Sequence, residues 1–212
     1  MKKAAIIGAT GLIGGHVLQQ LTDDASVEEI RVLVRRPMQA SCPRVKVIQV
    51  SFTDKDAIRD ALQGCDAVFC AIGTTRMKTP DLTEYRKIDF DIPTTAARIS
   101  SECGVTSFHL VSSVGANSKS NNFYLKIKGE TEEAVKKSGV PLVVLYRPSL
   151  LLGKRKEVRM AERISTWFLP LLSFLFPPHY KPIQASTVAS AMIRDAKAGG
   201  RGSKISQYPE MN

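Results

Sequence analysis

Long apolar runs are missing from this sequence of 212 residues. The best candidate for a membrane span, Trp167–Phe176, is interrupted by Pro170 and is too short to cross a bilayer as a helix. Near the N-terminus, the apolar run Ala4–Ile7 is also too short for the core of a secretory signal. The sequence therefore predicts neither a spanning helix nor a signal peptide.

Cysteine and histidine are scarce, and neither is arranged as a metal site. The four cysteines have no CxxC or other metal-ligand spacing, and we interpret them as reduced thiols. His109 falls inside a predicted strand and is interpreted as structural. Since reduced thiols are typical of the cytosol, we predict a cytoplasmic protein without a bound metal.

Acidic residues are outnumbered, and the formal net charge is +10. A basic balance favours an anionic partner, such as a dinucleotide phosphate, a nucleic acid or an acidic membrane surface. No basic run carries the interleaved aromatics of a nucleic-acid module, so nucleic acid is not favoured. The length and ordinary composition predict one globular α/β domain over residues 1–212.

Short β-rich runs alternate with longer helical patterns along the chain. The predicted strands are Ala4–Ile7, Ile30–Val34, Val45–Val50, Ala67–Ala71, Phe108–Val111 and Leu142–Tyr146. The predicted helices are Leu12–Leu21, Asp54–Leu62, Thr83–Cys103, Phe123–Lys137 and Thr187–Ala198. Strands that are apolar on both faces are typical of a covered parallel sheet. The pattern predicts a doubly wound, mostly parallel Rossmann sheet with helices on both faces.

The first predicted strand runs directly into the glycine-rich sequence GATGLIGG, residues 8–15. Gly8 allows a tight turn with positive φ, and Gly11 lets the backbone approach a pyrophosphate. Gly14 allows the following helix to pack close to the sheet. The free N–H groups at the start of that helix suit a phosphate, so the segment predicts a dinucleotide site.

The second predicted strand ends in Arg35 and Arg36, where an acidic residue would bind the ribose of NAD. Guanidinium groups can hold a 2′-phosphate, and the pair therefore favours NADP(H) over NAD(H). The alternative is a solvated basic loop. Asp54, after the third strand, is interpreted either as a contact to the adenine amino group or as a helix cap.

Six segments carry a family resemblance: GATGLIGG, VLVRRP, CAIGTT, LVSSVGA, YLKIK and YRPSLLLG. In this order they resemble the short-chain dehydrogenase/reductase superfamily. Within it, the chain is similar to the atypical branch that contains the Tat-interacting-protein-like oxidoreductases and their bacterial relatives. The resemblance covers nearly the whole chain, and it implies a Rossmann fold and a nicotinamide cofactor.

The resemblance also implies roles for individual residues. The pyrophosphate would be lined by Gly8, Thr10, Gly11, Leu12 and Ile13. The remaining cofactor contacts would come from Ala71, Ile72, Gly73, Ser112, Tyr124, Lys128, Arg147, Pro148 and Ser149. Of these, Ser112 would face the nicotinamide side, and residues 147–149 would pass its carboxamide. Ser113, Tyr124 and Lys128 match the catalytic serine and the YxxxK pair.

Tyr124 and Lys128 are four residues apart and share one face of the predicted helix. A free tyrosine ionises only near pH ~10, and an adjacent ammonium favours the phenolate. Tyr124 could then act as the general acid or base, while Ser113 binds the substrate oxygen. The family's asparagine on the preceding helix is not evident, and Asp89 stands near its expected position.

The region of about 153–183 combines a cationic stretch with the apolar segment 164–176. It is interpreted as a substrate-covering region, as core, or as a surface for a protein partner or homodimer. Peripheral membrane contact is not favoured. The leading hypothesis is an NADP(H)-dependent oxidoreductase of a small carbonyl or alcohol. The alternative is a non-enzymatic NADP(H)-sensing protein that binds a macromolecular partner.

Overall fold

The computed structural model describes residues 1–152 and 181–212, which include a parallel sheet of seven strands. The strands are β1 (Lys3–Ile7), β2 (Glu29–Val34), β3 (Val45–Gln49), β4 (Ala67–Cys70), β5 (Ser107–Val111), β6 (Leu142–Tyr146) and β9 (Gly202–Ser206). Their order across the sheet is β3-β2-β1-β4-β5-β6-β9. The order reverses direction beside β1, so the predicted doubly wound Rossmann fold is confirmed.

Helices cover both faces of the sheet. They are α1 (Leu12–Asp23), α2 (Lys55–Leu62), α3 (Leu82–Arg86), α4 (Ile92–Glu102), α5 (Phe123–Lys136), α6 (Ala185–Ala198) and the short α7 (Tyr208–Met211). One apolar cluster packs α1 and α6 against one face, and a second packs α2, α4 and α5 against the other. Alternate residues of β1 enter the two clusters, with Ile6 in the first and Ile7 in the second. The apolar strand pattern is therefore explained by burial on both faces.

Several features differ from the sequence prediction, and two of them concern the main sheet and its helices. The strand β9 was not predicted, because its residues 202–205 are exposed and show no apolar alternation. Among the described residues it pairs only with β6, as expected of an edge strand. The predicted helix Thr83–Cys103 is instead divided into α3, a π-helical segment at Lys87–Asp91 and α4. Other boundaries lie within two residues of the prediction.

A two-stranded pairing joins the borders of the region predicted to cover the substrate. In this pairing β7 (Leu151–Leu152) lies parallel to β8 (Ile183–Gln184), and Leu151 faces Ile183. The chain therefore leaves residue 152 and returns at residue 183 on adjacent strands. In the parts of the chain that the structure describes, no helix combines the length and apolar character needed to cross a bilayer.

Candidate cofactor and active site

The glycine-rich loop brings the start of α1 against the carboxyl ends of β1 and β4. Gly8 has a φ of +93°, and a Cβ there would lie 2.7 Å from the carbonyl carbon of Ala71. A Cβ at Gly14 would lie 2.2 Å from the carbonyl oxygen of Gly8. Both positions therefore need glycine, as the sequence predicts for a tight turn and a close helix–strand approach.

The first turn of α1 is open to an anion. Gly11 is the N-cap and supplies no side-chain acceptor, and the first turn, Leu12–Gly14, contains no acidic residue. Its leading N–H groups and the positive end of the helix dipole therefore have no carboxylate in this turn to neutralise them. These features fit a pyrophosphate bound along residues 8–13. The contacts of the individual residues stay predictions.

The two arginines predicted to bind a 2′-phosphate follow β2 at this same edge. Ile7 pairs with Leu33, so residues 35 and 36 follow the carboxyl end of β2 where the glycine loop follows the carboxyl end of β1. Both arginine side chains are exposed, and neither is paired with a carboxylate in the described residues. Asp54 caps α2 by accepting from the backbone N–H groups of Asp56 and Ala57. The helix-cap interpretation of Asp54 is confirmed, and its adenine contact stays a prediction.

The segment after β4 connects the glycine loop with α5. The backbone N–H of Ala71 donates to Ile7, and Ile72 lies against Gly8. At Gly73, a Cβ would be 3.4 Å from Asp89 Oδ1 and 3.6 Å from Lys128 Nζ. Residues 71–73, which the family resemblance predicts to contact the cofactor, therefore run from the phosphate loop to the lysine of the YxxxK pair.

The two serines after β5 lie in different environments. Ser112 is buried, and its Oγ has no hydrogen-bond partner among residues 1–152 and 181–212. The half-buried Ser113 points its Oγ to the carbonyl oxygen of Val114 at 3.3 Å. Val114 N donates to the carbonyl oxygen of Pro148 at 3.0 Å, which joins this loop to the one after β6. An unpartnered buried hydroxyl at this point is consistent with a polar ligand.

The YxxxK pair lies on the first turns of α5, which Asn122 caps through Leu125 N. Tyr124 is 38% exposed, whereas Lys128 is buried. Burial by itself lowers the pKa of Lys128, but the charges of Asp89 and Tyr124 outweigh it and raise the pKa above its usual range. The pair therefore combines an accessible phenol with a buried ammonium, an arrangement that suits proton transfer.

Asp89 is the residue of the candidate site whose position the sequence did not resolve. Asp89 lies in the π-helical segment, and its Oδ1 is 2.9 Å from Lys128 Nζ. Its Oδ2 accepts a hydrogen bond from Thr74 N at 2.8 Å. The sequence identified Asp89 only as a departure from the family's asparagine. Its acidic type beside a buried lysine was the available signal, but a π turn cannot be read from helical periodicity.

A family model described as NAD(P)H-binding matches residues 8–167, which span the glycine loop, the serines and the YxxxK pair. This chain belongs to that NAD(P)H-binding family. The NAD(P)-binding Rossmann family identified from the sequence is therefore confirmed.

Two similar proteins share the name FMP52. "Protein FMP52, mitochondrial" of Candida albicans is 34% identical over 211 residues, covering 93% of this chain and 89% of that protein. "Protein fmp52, mitochondrial" of Emericella nidulans is 34% identical over 174 residues, covering 79% and 75%. The chain is thus also a member of the FMP52 family. The prediction of a cytoplasmic protein is contradicted, because these relatives are named as mitochondrial proteins. The location was predicted from cysteine usage, and reduced thiols do not distinguish the cytosol from the mitochondrion.

Two solved structures of similar fold are complexes with NAD. MoeE5 in complex with UDP-glucose and NAD has a TM-score of 0.74 at 15% identity, covering 99% of this chain and 79% of that one. The Bordetella bronchiseptica enzyme WbmH in complex with NAD+ has a TM-score of 0.73 at 18% identity, covering 96% and 74%. At such low identity these likenesses establish the fold alone.

The sequence predictions for the C-terminal third fall largely outside the described residues. The cationic stretch 153–163 and the apolar segment 164–176 both lie there. The partner, homodimer and membrane hypotheses, and with them the cofactor-sensing alternative, depended on these segments and stay predictions.

Proposed function

We propose that this protein is an NADP(H)-dependent oxidoreductase that transfers hydride to or from a small carbonyl or alcohol. One observation carries the proposal: the backbone of residues 71–73 starts beside Gly8 and ends where a Cβ on Gly73 would lie 3.6 Å from Lys128 Nζ. A dinucleotide held along these residues would extend from the phosphate loop to the accessible Tyr124. Binding and proton transfer would then occur at one continuous site.

The residues present fit a nicotinamide dinucleotide. The glycine loop packs closely against the backbone of β1 and of the segment after β4, and the start of α1, which has no side-chain cap, suits the charge of a pyrophosphate. Arg35 and Arg36 would hold a 2′-phosphate, which is the basis for proposing NADP(H) rather than NAD(H). Lys128 would hold the nicotinamide ribose, and the buried Oγ of Ser112 would gain a polar partner.

The protein's own groups would manage the proton. The bound cofactor supplies or accepts the hydride at the substrate carbon. In carbonyl reduction Tyr124 would donate its phenolic proton to the substrate oxygen, giving an alcohol. Lys128 would stabilise the resulting phenolate, and Ser113 would donate a hydrogen bond to the oxygen as negative charge develops. Alcohol oxidation reverses these transfers, with the phenolate as base.

The test is carbonyl-dependent consumption of NADPH across a panel of small aldehydes and ketones, compared with the Tyr124→Phe variant. Tyr124→Phe should lower turnover by about 100-fold or more, because general acid catalysis is lost, while the Kd for NADPH changes little. Tyr208→Phe, in the short C-terminal helix α7, is the matched control and should keep full activity. Tight NADPH binding without turnover of any panel member would contradict the proposal.

A further inference from the structure

A buried carboxylate lies next to the lysine of the YxxxK pair. The side chain of Asp89 is fully buried, that of Lys128 is 9% exposed, and Oδ1 lies 2.9 Å from Nζ. A buried charge is costly unless it is paired, and here each group is the counter-ion of the other. The ion pair therefore allows the lysine to stay charged where burial alone would favour a neutral amine.

Asp89 is held in place by contacts that do not involve the lysine. Thr74 N donates to Oδ2 at 2.8 Å, and the hydroxyl of Thr131 on α5 donates to the Asp89 carbonyl oxygen at 2.9 Å. A backbone N–H that donates to a carboxylate also favours its charged form. The longer and more flexible side chain of Lys128 therefore takes its position from the fixed carboxylate.

The ion pair lies directly beside Gly73, which is exposed. A Cβ there would be 3.4 Å from Asp89 Oδ1 and 3.6 Å from Lys128 Nζ, so it would point at both groups. In the described part of the chain Oδ1 has no aligned hydrogen bond, and its contact with Nζ is chiefly a charge attraction. The N–H groups of the ammonium are therefore not committed to Asp89 and can donate to a ligand that lies along residues 71–73.

The other titratable groups near Lys128 do not replace Asp89 as its counter-ion. They are Tyr124, on the same helix, and Cys70, at the end of β4. A phenol or a thiol offers a negative charge only when it ionises, and burial raises the pKa of Cys70 to about 12. On the π-helical segment itself, Lys87 and Asp91 are exposed. The buried negative charge that faces Lys128 at neutral pH is therefore that of Asp89.

We propose that Asp89 is a positioning residue that keeps Lys128 charged and directed at the cofactor beside Gly73, so that the lysine contributes equally to binding from neutral to moderately alkaline pH. The inference rests on the proposed function, in which Lys128 holds the nicotinamide ribose. Without Asp89 the lysine would be buried and unpaired, and it would lose its proton at lower pH. A neutral amine holds a ribose hydroxyl less strongly than an ammonium does.

The first experiment follows the charge of Lys128 in the full-length protein without cofactor. NMR titration of lysine labelled with carbon-13 at Cε reports the ammonium, and the Lys128→Arg variant assigns its signal. In the wild type the ammonium should persist above the ordinary lysine range, and titration below that range would overturn the proposal. In Asp89→Asn, whose amide oxygen can still accept from Thr74 N, the midpoint should fall by about 2 pH units or more. An unchanged or raised midpoint would equally overturn it.

Asp91→Asn is the matched control, because it removes an exposed carboxylate from the same π-helical segment. It should leave the Lys128 midpoint in place, since water screens an exposed charge. If the midpoint falls as far as in Asp89→Asn, the buried ion pair is not what keeps the lysine charged, and the proposal is wrong.

The second experiment measures the Kd for NADPH by calorimetry from about pH 6.5 to about pH 9. Dividing the Kd of Asp89→Asn by that of the wild type at each pH cancels the titration of the cofactor and of the unchanged groups. This ratio should rise by about tenfold over the range, because Lys128 loses its charge in the variant alone. A ratio that is the same at every pH would show a merely structural loss and contradict the proposal.

Gly73→Ala is a second variant that changes no charge, and its methyl group would fit at ordinary contact distances. Because this methyl group would cover the ion pair, it should weaken NADPH binding by about tenfold, and equally at every pH. Undiminished binding would show that the cofactor does not reach Lys128 beside Gly73, against the proposal.

The lysine titration needs neither cofactor nor turnover, so the two proposals can fail separately. If the Lys128 midpoint falls in Asp89→Asn while no carbonyl is reduced, only the proposed function fails. If reduction proceeds while the midpoint stays fixed, only this inference fails.

Discussion

Arg147 and Glu132 form a bidentate ion pair that ties the end of β6 to α5. Nε of Arg147 donates to Oε1 at 2.9 Å, and Nη2 donates to Oε2 at 2.5 Å. The hydrogen bond to Glu132 raises the pKa of Arg147 above its usual range, although burial opposes it. The guanidinium is thereby engaged in holding α5, and the cofactor contact of residues 147–149 stays a prediction.

Glu132→Gln should lower the free energy of unfolding by about 3 kcal/mol, because it leaves the Arg147 cation half-buried without its counter-ion. Urea denaturation at neutral pH measures the loss. Glu130→Gln on the same helix is the matched control, since Glu130 pairs with Arg86 near the surface. It should cost no more than about 0.5 kcal/mol. Equal losses in the two variants would contradict a buried, structural role for the Arg147–Glu132 pair.

The glycine pair at the start of α1 offers two neighbouring substitutions with opposite outcomes. Gly14→Ala places a Cβ 2.2 Å from the carbonyl oxygen of Gly8, so α1 must move away from β1. We expect a loss of about 1–3 kcal/mol in unfolding free energy and loss of NADPH binding. Gly15→Ala meets only the Ala9 oxygen, at an ordinary 3.5 Å, and should stabilise the helix by up to about 1 kcal/mol.

Calorimetry with NADPH and thermal unfolding of both variants check this prediction. The two substitutions add the same methyl group one residue apart, so side-chain size and helix propensity are matched. If Gly14→Ala binds NADPH as the wild type does, the close approach of α1 to the strand does not shape the phosphate site.

The sheet, the phosphate loop and the YxxxK helix could be read from the sequence because their signals are local. Glycines at fixed spacing and apolar strands each reflect a local requirement of the backbone. At Gly14, for example, an added Cβ would lie 2.2 Å from the carbonyl oxygen of Gly8. The ion pairs of Asp89 with Lys128 and of Glu132 with Arg147 could not be read, because their partners lie 39 and 15 residues apart. The edge strand β9 was missed for a related reason, since pairing on one side demands little of its side chains.

Arg35→Ala and Arg36→Ala should each weaken NADPH binding by about tenfold and leave the affinity for NADH almost unchanged. The selective loss follows because a 2′-phosphate would lose one charged hydrogen bond, and NADH has no such phosphate. Calorimetric Kd values for the two cofactors measure the effect. Arg201→Ala is the matched control: Arg201 is also exposed, but it precedes β9 at the opposite edge of the sheet. Equal losses for NADH and NADPH would remove the basis for NADP(H) preference.

The last prediction concerns His109, which is fully buried between β4 and β6. Its Nε2 lies 3.1 Å from Ser107 Oγ and its Nδ1 lies 3.0 Å from Tyr146 OH, which in turn donates to Asp195 at 2.9 Å. Every hydrogen bond in this series has a donor and an acceptor when the imidazole is neutral and carries its proton on Nδ1. This tautomer is assigned from the hydrogen-bond partners. Burial lowers the pKa of His109 to about 3.

The native protein therefore resists protonation of His109, while the unfolded chain takes up that proton near pH ~6.5. Between those two values the unfolded state binds more protons, so stability falls as the pH is lowered. From pH 7 to pH 5 the wild type should lose about 2 kcal/mol of unfolding free energy through this group. The lowered carboxylate pKa of Asp24, at about 2, contributes only at more acidic pH.

Urea denaturation at pH 7 and pH 5, on the wild type and on His109→Gln, measures this contribution. The glutamine variant should be less stable at pH 7, because it loses the stacking of the imidazole on Phe69. It should nevertheless lose about 2 kcal/mol less than the wild type between the two pH values, since no imidazole remains to be protonated. His16→Gln, in α1, should keep the wild-type difference. If His109→Gln also keeps it, His109 is not the group that couples folding to pH in this range.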